Sequence, residues 1–227
     1  MVVARKITQW SFSRYKDYCQ CPRLAFYKHV EKRKLPPSPA MDRGTAIHKA
    51  AEDYLKGLRR TVAPELKHFK DKLKELKKLG ASAEGEMALT KAYKPTGWFN
   101  PDVWVRIKTD VIAVLEGGVE LLIGDWKTGR KYDDHEEQLG LYAMGGFVLN
   151  PLVKKVRAED WYTDIAPSDK GGNVLSHTFA VKDFKVLQKT WEKNTKAMLN
   201  DTKFAPLPSN KCRYCPFSKA HGGPCEF

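Results

Sequence analysis

Asp110, Asp125 and Lys127 are the residues whose types and spacing point most directly to chemistry. Trp104 to Leu115 is β-rich and apolar, Glu116-Gly-Gly-Val119 has the composition of a turn, and Glu120 to Lys127 reads as a second strand. If the turn centres on Gly117-Gly118, residues whose numbers sum to 235 face each other, and Asp110 lies opposite Asp125. Two carboxylates so placed repel and destabilise a hairpin. A divalent cation between them removes that penalty, and hard oxygen ligands suit Mg²⁺ or Mn²⁺. Lys127 stands two residues beyond Asp125, so its side chain leaves the same sheet face. Two acids and a lysine on one face form a site for metal-assisted attack on phosphate. The competing reading is a surface hairpin with solvated charges, since D-x-K alone is a common tripeptide.

Other residues extend this set. His48, at the edge of a helical apolar stripe with Glu52 one turn on, is either a structural histidine or a third metal ligand. Glu86, on the strand before the hairpin, either assists the metal or is an exposed strand acid. Gln138 and Tyr142 are i and i+4 on a helix that follows Lys127, so they share one helix face. An amide and a phenol there could hold a nucleotide or the lysine, or simply pack. Cys212-Arg-Tyr-Cys215-Pro is a C-x₂-C knuckle with Cys225 further on, and Cys21 precedes a proline near the other end of the chain. Four thiolates split in this way could bind a [4Fe–4S] cluster and staple the chain ends. Zn²⁺ on Cys212, Cys215, Cys225 and either Cys21 or His221 is the alternative, and unliganded thiols are a third. Cys19 is the spare.

The elements that must position these residues are legible from periodicity. Ser11 and Ser13 are N-cap candidates for a helix through Tyr15 and Tyr18, broken at Pro22, with a further turn or two carrying Leu24, Phe26 and Tyr27. Leu35-Pro-Pro-Ser-Pro39 is a rigid loop. A helix is expected from about Asp42 to Gly57, and another from Pro64 to Leu79 with the stripe Leu66, Phe69, Leu73 and Leu76. Strands follow at Glu84–Tyr93 and in the hairpin, then a helix over Asp133–Leu149. Strands at Val156–Asp164 and Val174–Val181 and a helix over Asp183–Asn200 complete the pattern. This order predicts an α/β fold, a mixed β-sheet flanked by helices, with a mainly helical N-terminal part (1–80), a core (81–201) and a cysteine-containing tail (202–227) forming a single domain.

The formal net charge of +13 favours a polyanionic partner, and a lysine run spans Lys67 to Lys78. No apolar run approaches the roughly 18 residues needed to span a bilayer, and the first residues lack a secretory apolar core. A soluble, intracellular chain with no membrane partner is therefore expected, and paired disulfides are not.

These motifs together resemble the PD-(D/E)XK nuclease superfamily, in its RecB-like and Cas4-like branch. The matching signs run in the family's order over nearly the whole chain. Ser11-x-Ser13 through Cys21-Pro22 comes first, then Arg43-Gly-Thr-Ala-Ile-His48, Asp110, Asp125-Trp-Lys127-Thr-Gly129 and Gln138-Leu-Gly-Leu-Tyr142, and finally the C-terminal cysteines. The resemblance implies a restriction-endonuclease-like core with a cysteine clasp. It implies that His48, Asp110, Asp125 and the Trp126 carbonyl bind Mg²⁺ or Mn²⁺, that Lys127 positions the attacking water and stabilises transition-state charge, and that Gln138 and Tyr142 contact DNA or support the lysine. It further implies a DNA exonuclease preferring single-stranded ends, in recombination, repair or viral DNA processing. Trp10, Tyr15 and Trp98 are candidates for stacking on bases. A non-catalytic DNA-binding scaffold and an endonuclease on the same fold are the alternatives; a phosphatase or nucleotidase suits the basic charge less well. The chain departs from the family pattern in lacking a glycine close before Asp110 and in the nine-residue gap between Cys215 and Cys225.

Overall fold

The computed structural model describes residues 6–36 and 38–227, so Met1–Arg5 and Pro37 of the proline-rich loop lie outside the described residues. The helices are α1 (Phe12–Gln20), α2 (Pro22–Ala25), α3 (Pro39–Leu55), α4 (Lys70–Lys78), α5 (Asp134–Leu149) and α6 (Phe184–Asn200). The strands are β1 (Ser82–Thr90), β2 (Val103–Leu115), β3 (Glu120–Lys127), β4 (Lys155–Tyr162) and β5 (Val174–Ala180). The α/β fold is as expected, and its mixed sheet has the order β1-β2-β3-β4-β5. Only the β3–β4 pair is parallel. A parallel pair requires a crossover, and α5 supplies it. The chain divides into two compact units, residues 38–189 and a second formed by the two ends, 1–37 with 190–227.

In the larger unit the β2–β3 pairs run from Val111↔Gly124 to Leu115↔Glu120, the register in which residue numbers sum to 235. Both faces of the sheet are covered. On one, Ile47, Ala51 and Tyr54 of α3 join Leu66, Phe69, Leu73 and Leu76 against Val111, Leu122, Trp126 and Trp161. On the other, α5 lies close because Gly145 and Gly146 carry no side chain. A Cβ at Gly145 would stand 2.8 Å from the Ile107 side chain, and one at Gly146 3.0 Å from Leu121.

Two elements differ from the periodicity reading. The expected 64–79 helix opens as a 3-10 turn, Pro64–Phe69, before α4 begins. Phe69, at φ −115° and ψ 16°, interrupts the helix and packs edge-on against Trp126 with ring centroids 5.4 Å apart. β1 stops at Thr90 because Tyr93 adopts φ 55° and a turn closes there, with Tyr93 N–H donating to the Thr90 carbonyl at 2.9 Å.

In the smaller unit, Ser11 caps α1 as expected, accepting from the Arg14 N–H, and Pro22 opens α2 at its first position. Trp10 is 1% exposed and lies 5.2 Å from the Trp191 ring, while Tyr15 meets the same ring edge-on. Trp10 is therefore a core residue and not a platform for bases. No helix among the described residues is long and apolar enough to cross a membrane.

Candidate active site

Asp110 leaves β2 where its ladder with β3 ends, and β3 delivers Asp125 and Lys127. The Trp126 N–H donates to Asp110 Oδ2 at 2.7 Å, which ties the two strands beyond their last recorded pair. From α3, His48 Nδ1 lies 3.0 Å from Asp110 Oδ1. From α5, the Tyr142 hydroxyl donates to Asp125 Oδ1 at 2.8 Å, and Gln138 Nε2 donates to that hydroxyl oxygen at 2.6 Å. Lys127 Nζ donates to Gln138 Oε1 at 2.7 Å and lies 2.6 Å from Asp125 Oδ2. The sequence-predicted residues His48, Asp110, Asp125, Trp126, Lys127, Gln138 and Tyr142 thus meet in one network. His48, Asp110, Asp125 and Trp126 also line a cavity of about 420 Å³, together with Glu52 and Glu84.

The electrostatics follow from burial and crowding. Burial raises the Asp110 carboxyl pKa above the usual range, the Asp125 charge raises it further, and His48 and the Trp126 N–H only partly offset this. Burial works against a charged His48, but the Asp110 hydrogen bond and charge outweigh it and raise the imidazole pKa. Burial likewise works against the Lys127 charge, and Asp125 and Asp160 more than compensate, so the lysine is held as an ammonium. Tyr142 is pushed well up, first by burial and then by Asp125, and stays a neutral donor. Lys127 is therefore a cation that can orient a nucleophile or stabilise an anion, not a free amine base.

Two functional candidates were not anticipated. Asp160 pairs with Asp125 across the parallel β3–β4 ladder, is fully buried, and has no hydrogen-bond partner on either oxygen. Its Oδ1 is 3.7 Å from Lys127 Nζ, an ion pair too long to be a hydrogen bond. Burial lifts its pKa to about 7, with Lys127 lowering it and Asp125 raising it. The second is Glu84, which takes φ 62° next to Gly85 and lines the cavity while pairing with Lys108 at 3.0 Å. Glu86 is exposed and does not line the cavity, which matches its reading as an exposed strand acid, and Glu84 is the β1 acid that lines it.

Asp110, Asp125, Asp160, Glu84 and Glu52 outnumber the nearby cations, and the cavity offers carboxylate oxygens and one imidazole. That donor set fits a hard divalent ion. Among the described residues no three His, Cys, Asp or Glu side chains stand grouped as a ready-made metal centre. Asp110 and Asp125 are instead engaged by Lys127, Tyr142, His48 and the Trp126 N–H, Glu52 by Lys49 and Lys56, and Glu84 by Lys108.

In the smaller unit, Cys21, Cys212, Cys215 and Cys225 line one pocket; Cys19 is exposed and His221 does not reach it. His221 Nδ1 is 2.9 Å from the Ser218 hydroxyl instead. The Leu207 and Ser209 N–H groups donate to the sulfurs of Cys21 and Cys212 at 3.3 and 3.4 Å. Among the described residues, however, no Fe–S-binding cysteine group is formed. Cys21, Cys215 and Cys225 pack as weakly apolar side chains against Leu24, Tyr27 and Phe217.

Residues 9–220 match the PD-(D/E)XK nuclease superfamily. The chain belongs to that superfamily, and its mixed sheet flanked by helices is the restriction-endonuclease-like core. Among solved structures, a candidate exonuclease from Eubacterium rectale superposes with a TM-score of 0.52 at 10% identity, covering 91% of this chain and 88% of that one. An alkaline exonuclease from Laribacter hongkongensis gives a TM-score of 0.36 at 8% identity, covering 86% and 92%. Among curated proteins no sequence match is found.

Proposed function

We propose that the chain is a divalent-metal-dependent deoxyribonuclease of the RecB-like branch, acting on DNA ends with a preference for single strands. The observation that carries this reading is Lys127, held as an ammonium between Asp125 and Gln138 beside the Asp110–His48 pair. The mutual contacts of Gln138, Tyr142, Lys127 and Asp125 support the branch assignment, since they give the Q-x-x-x-Y motif a physical task. The exonuclease reading draws on the Eubacterium rectale fold relative. The chain as a whole acts as one nuclease domain in this reading.

His48, Asp110, Asp125 and the Trp126 carbonyl would hold Mg²⁺ or Mn²⁺, with Glu84 close by. When bound, the ion supplies Lewis acidity at the scissile phosphate and neutralises the carboxylate pair. Lys127 orients the attacking water and stabilises charge developing on the phosphoryl oxygens. Tyr142 and Gln138 fix the rotamers of Asp125 and Lys127. Cys21, Cys212, Cys215 and Cys225 share one pocket, and in this reading they would have to draw together to hold a [4Fe–4S] cluster or, alternatively, Zn²⁺. Anaerobic purification with a visible spectrum separates these, since only the cluster absorbs broadly.

The test is digestion of end-labelled linear single-stranded, linear duplex and circular DNA in Mg²⁺, Mn²⁺ or EDTA, with Lys127→Ala as control. Metal-dependent loss of linear DNA only, abolished by the substitution, is the expected result. Cutting of circles would move the assignment to an endonuclease. Binding without cutting would move it to a DNA-binding scaffold.

A further inference from the structure

A second anion-binding feature lies apart from the cavity at His48 and Asp110. Residues 54–80 carry nine lysines and arginines against three acids. The buried stripe Leu66, Phe69, Leu73 and Leu76 anchors the Pro64–Phe69 turn and α4 against the sheet. That anchoring fixes the rotation of the segment, so Lys67, Lys70 and Lys74 project together into solvent. Lys70 and Lys74, i and i+4 on α4, are neighbours about 5–6 Å apart on one helix face, and Lys67 of the preceding 3-10 turn lines the same groove. With Arg60 they line a groove of about 360 Å³ that includes no acid and shares no residue with the other cavity.

The ordinary reading of such a run is a solvated helix face. The partners argue otherwise. Neighbouring cations are committed: Lys56 to Glu52, Arg59 to the Thr61 carbonyl, Lys72 to Glu159 at 3.3 Å, and Lys77 over the Tyr54 ring at 4.7 Å. Arg60, Lys67 and Lys70 have no hydrogen bond or ion pair among the described residues. Lys74 has only Asp71, whose side chain is 94% exposed, and such a pair is readily exchanged. Three of the unpaired cations of this segment, Arg60, Lys67 and Lys70, thus face the groove, and Lys78 is the one that does not line it. Its floor is apolar, formed by Val62, Ala63, Pro64 and the largely buried Tyr54. A row of cations above an apolar floor matches a ligand with spaced phosphates and less polar sugars and bases.

We propose that this groove is an auxiliary nucleic-acid track, in which Arg60, Lys67, Lys70 and Lys74 contact successive phosphates of a single strand. It goes beyond the nuclease reading and does not require the strand to be cut. The test is fluorescence anisotropy of the full chain with a labelled single-stranded oligonucleotide in EDTA, over a salt series. The variants are the triple Lys67→Gln/Lys70→Gln/Lys74→Gln and a charge-matched control on other exposed lysines, Lys182→Gln/Lys185→Gln/Lys189→Gln. Each phosphate contact contributes about 0.7 to the slope of log K against log salt for a single strand, so the groove triple lowers the slope by about 2. The control leaves the slope unchanged. An equal loss in both variants, or no loss in the groove triple, overturns the proposal. Competition by polyglutamate as effective as by unlabelled oligonucleotide overturns the nucleic-acid assignment. If the wild type cuts DNA and the groove triple binds normally, the groove fails while the nuclease reading stands. If nothing is cut yet the slope falls as expected, the reverse holds.

Discussion

Asp160→Asn is expected to make the metal-free protein more stable at pH 8 and the enzyme slower. Asp160 is fully buried without a hydrogen-bond partner, and its pKa rises from 3.8 to about 7. The folded state therefore holds a proton that the unfolded chain releases. Stability from this group is fully present below about pH 4 and is lost as pH rises towards 7. Three pH units at about 1.4 kcal/mol each set a ceiling of about 4 kcal/mol. For a chain of this size that is a shift in melting temperature on the order of 10 °C. Asparagine is close in shape and never ionises, so the variant and wild type should melt together near pH 4 and diverge upward at pH 8, measured in EDTA. Lys127 keeps Asp125 at 2.6 Å but loses its second anionic neighbour. In metal the variant's kcat should therefore fall about tenfold or more, with KM for DNA little changed. A variant that melts lower than wild type at pH 8, or by the same offset at every pH, would refute the reasoning, because the carboxylate would then be making a favourable contact as an anion.

Other outcomes follow from the same geometry. Tyr142→Phe removes the hydroxyl that donates to Asp125 and accepts from Gln138; kcat should drop about tenfold, a cost of one buried hydrogen bond to a charged group, while the melting temperature in EDTA stays within a few degrees. Saturating Mg²⁺ or Mn²⁺ should stabilise the wild type by about 2.7 kcal/mol at a hundredfold excess over Kd, and Asp110→Asn should abolish that shift in thermal scans. Gly124→Ala should destabilise by about 1–3 kcal/mol through overpacking, since a Cβ there would fall 1.9 Å from the buried Trp161 ring; denaturant unfolding checks it, and an unchanged midpoint would mean that the ring can move.

What was legible in the sequence was local. The hairpin register followed from a two-glycine turn and strand alternation, and the i, i+4 spacing of Gln138 and Tyr142 placed both on one helix face. Trp10 was misread because composition reports an aromatic residue but not the Trp191 ring that buries it. Asp160 was missed for a different reason. Val156–Asp164 carries three acids, Glu159, Asp160 and Asp164, so nothing in the sequence singles out Asp160, whose meaning depends on the alignment of β4 with β3. Those strands are joined by a whole helix, so no turn sets their register. It is seen only in the folded sheet, where Asp160 stands level with Asp125 and Gly146 of α5 packs on Leu121 and Ile123 of β3 and Val156 of β4. Glu86 follows its exposed-acid reading, and Glu84, which lines the cavity with φ 62°, takes a backbone choice that has no compositional signal. The charges flanking Lys127 thus come from two sources. Asp125 is set by strand alternation within a hairpin, whereas Asp160 is set by long-range packing. The lysine's environment should therefore respond to substitutions at the α5 glycines as well as to changes in its own neighbours.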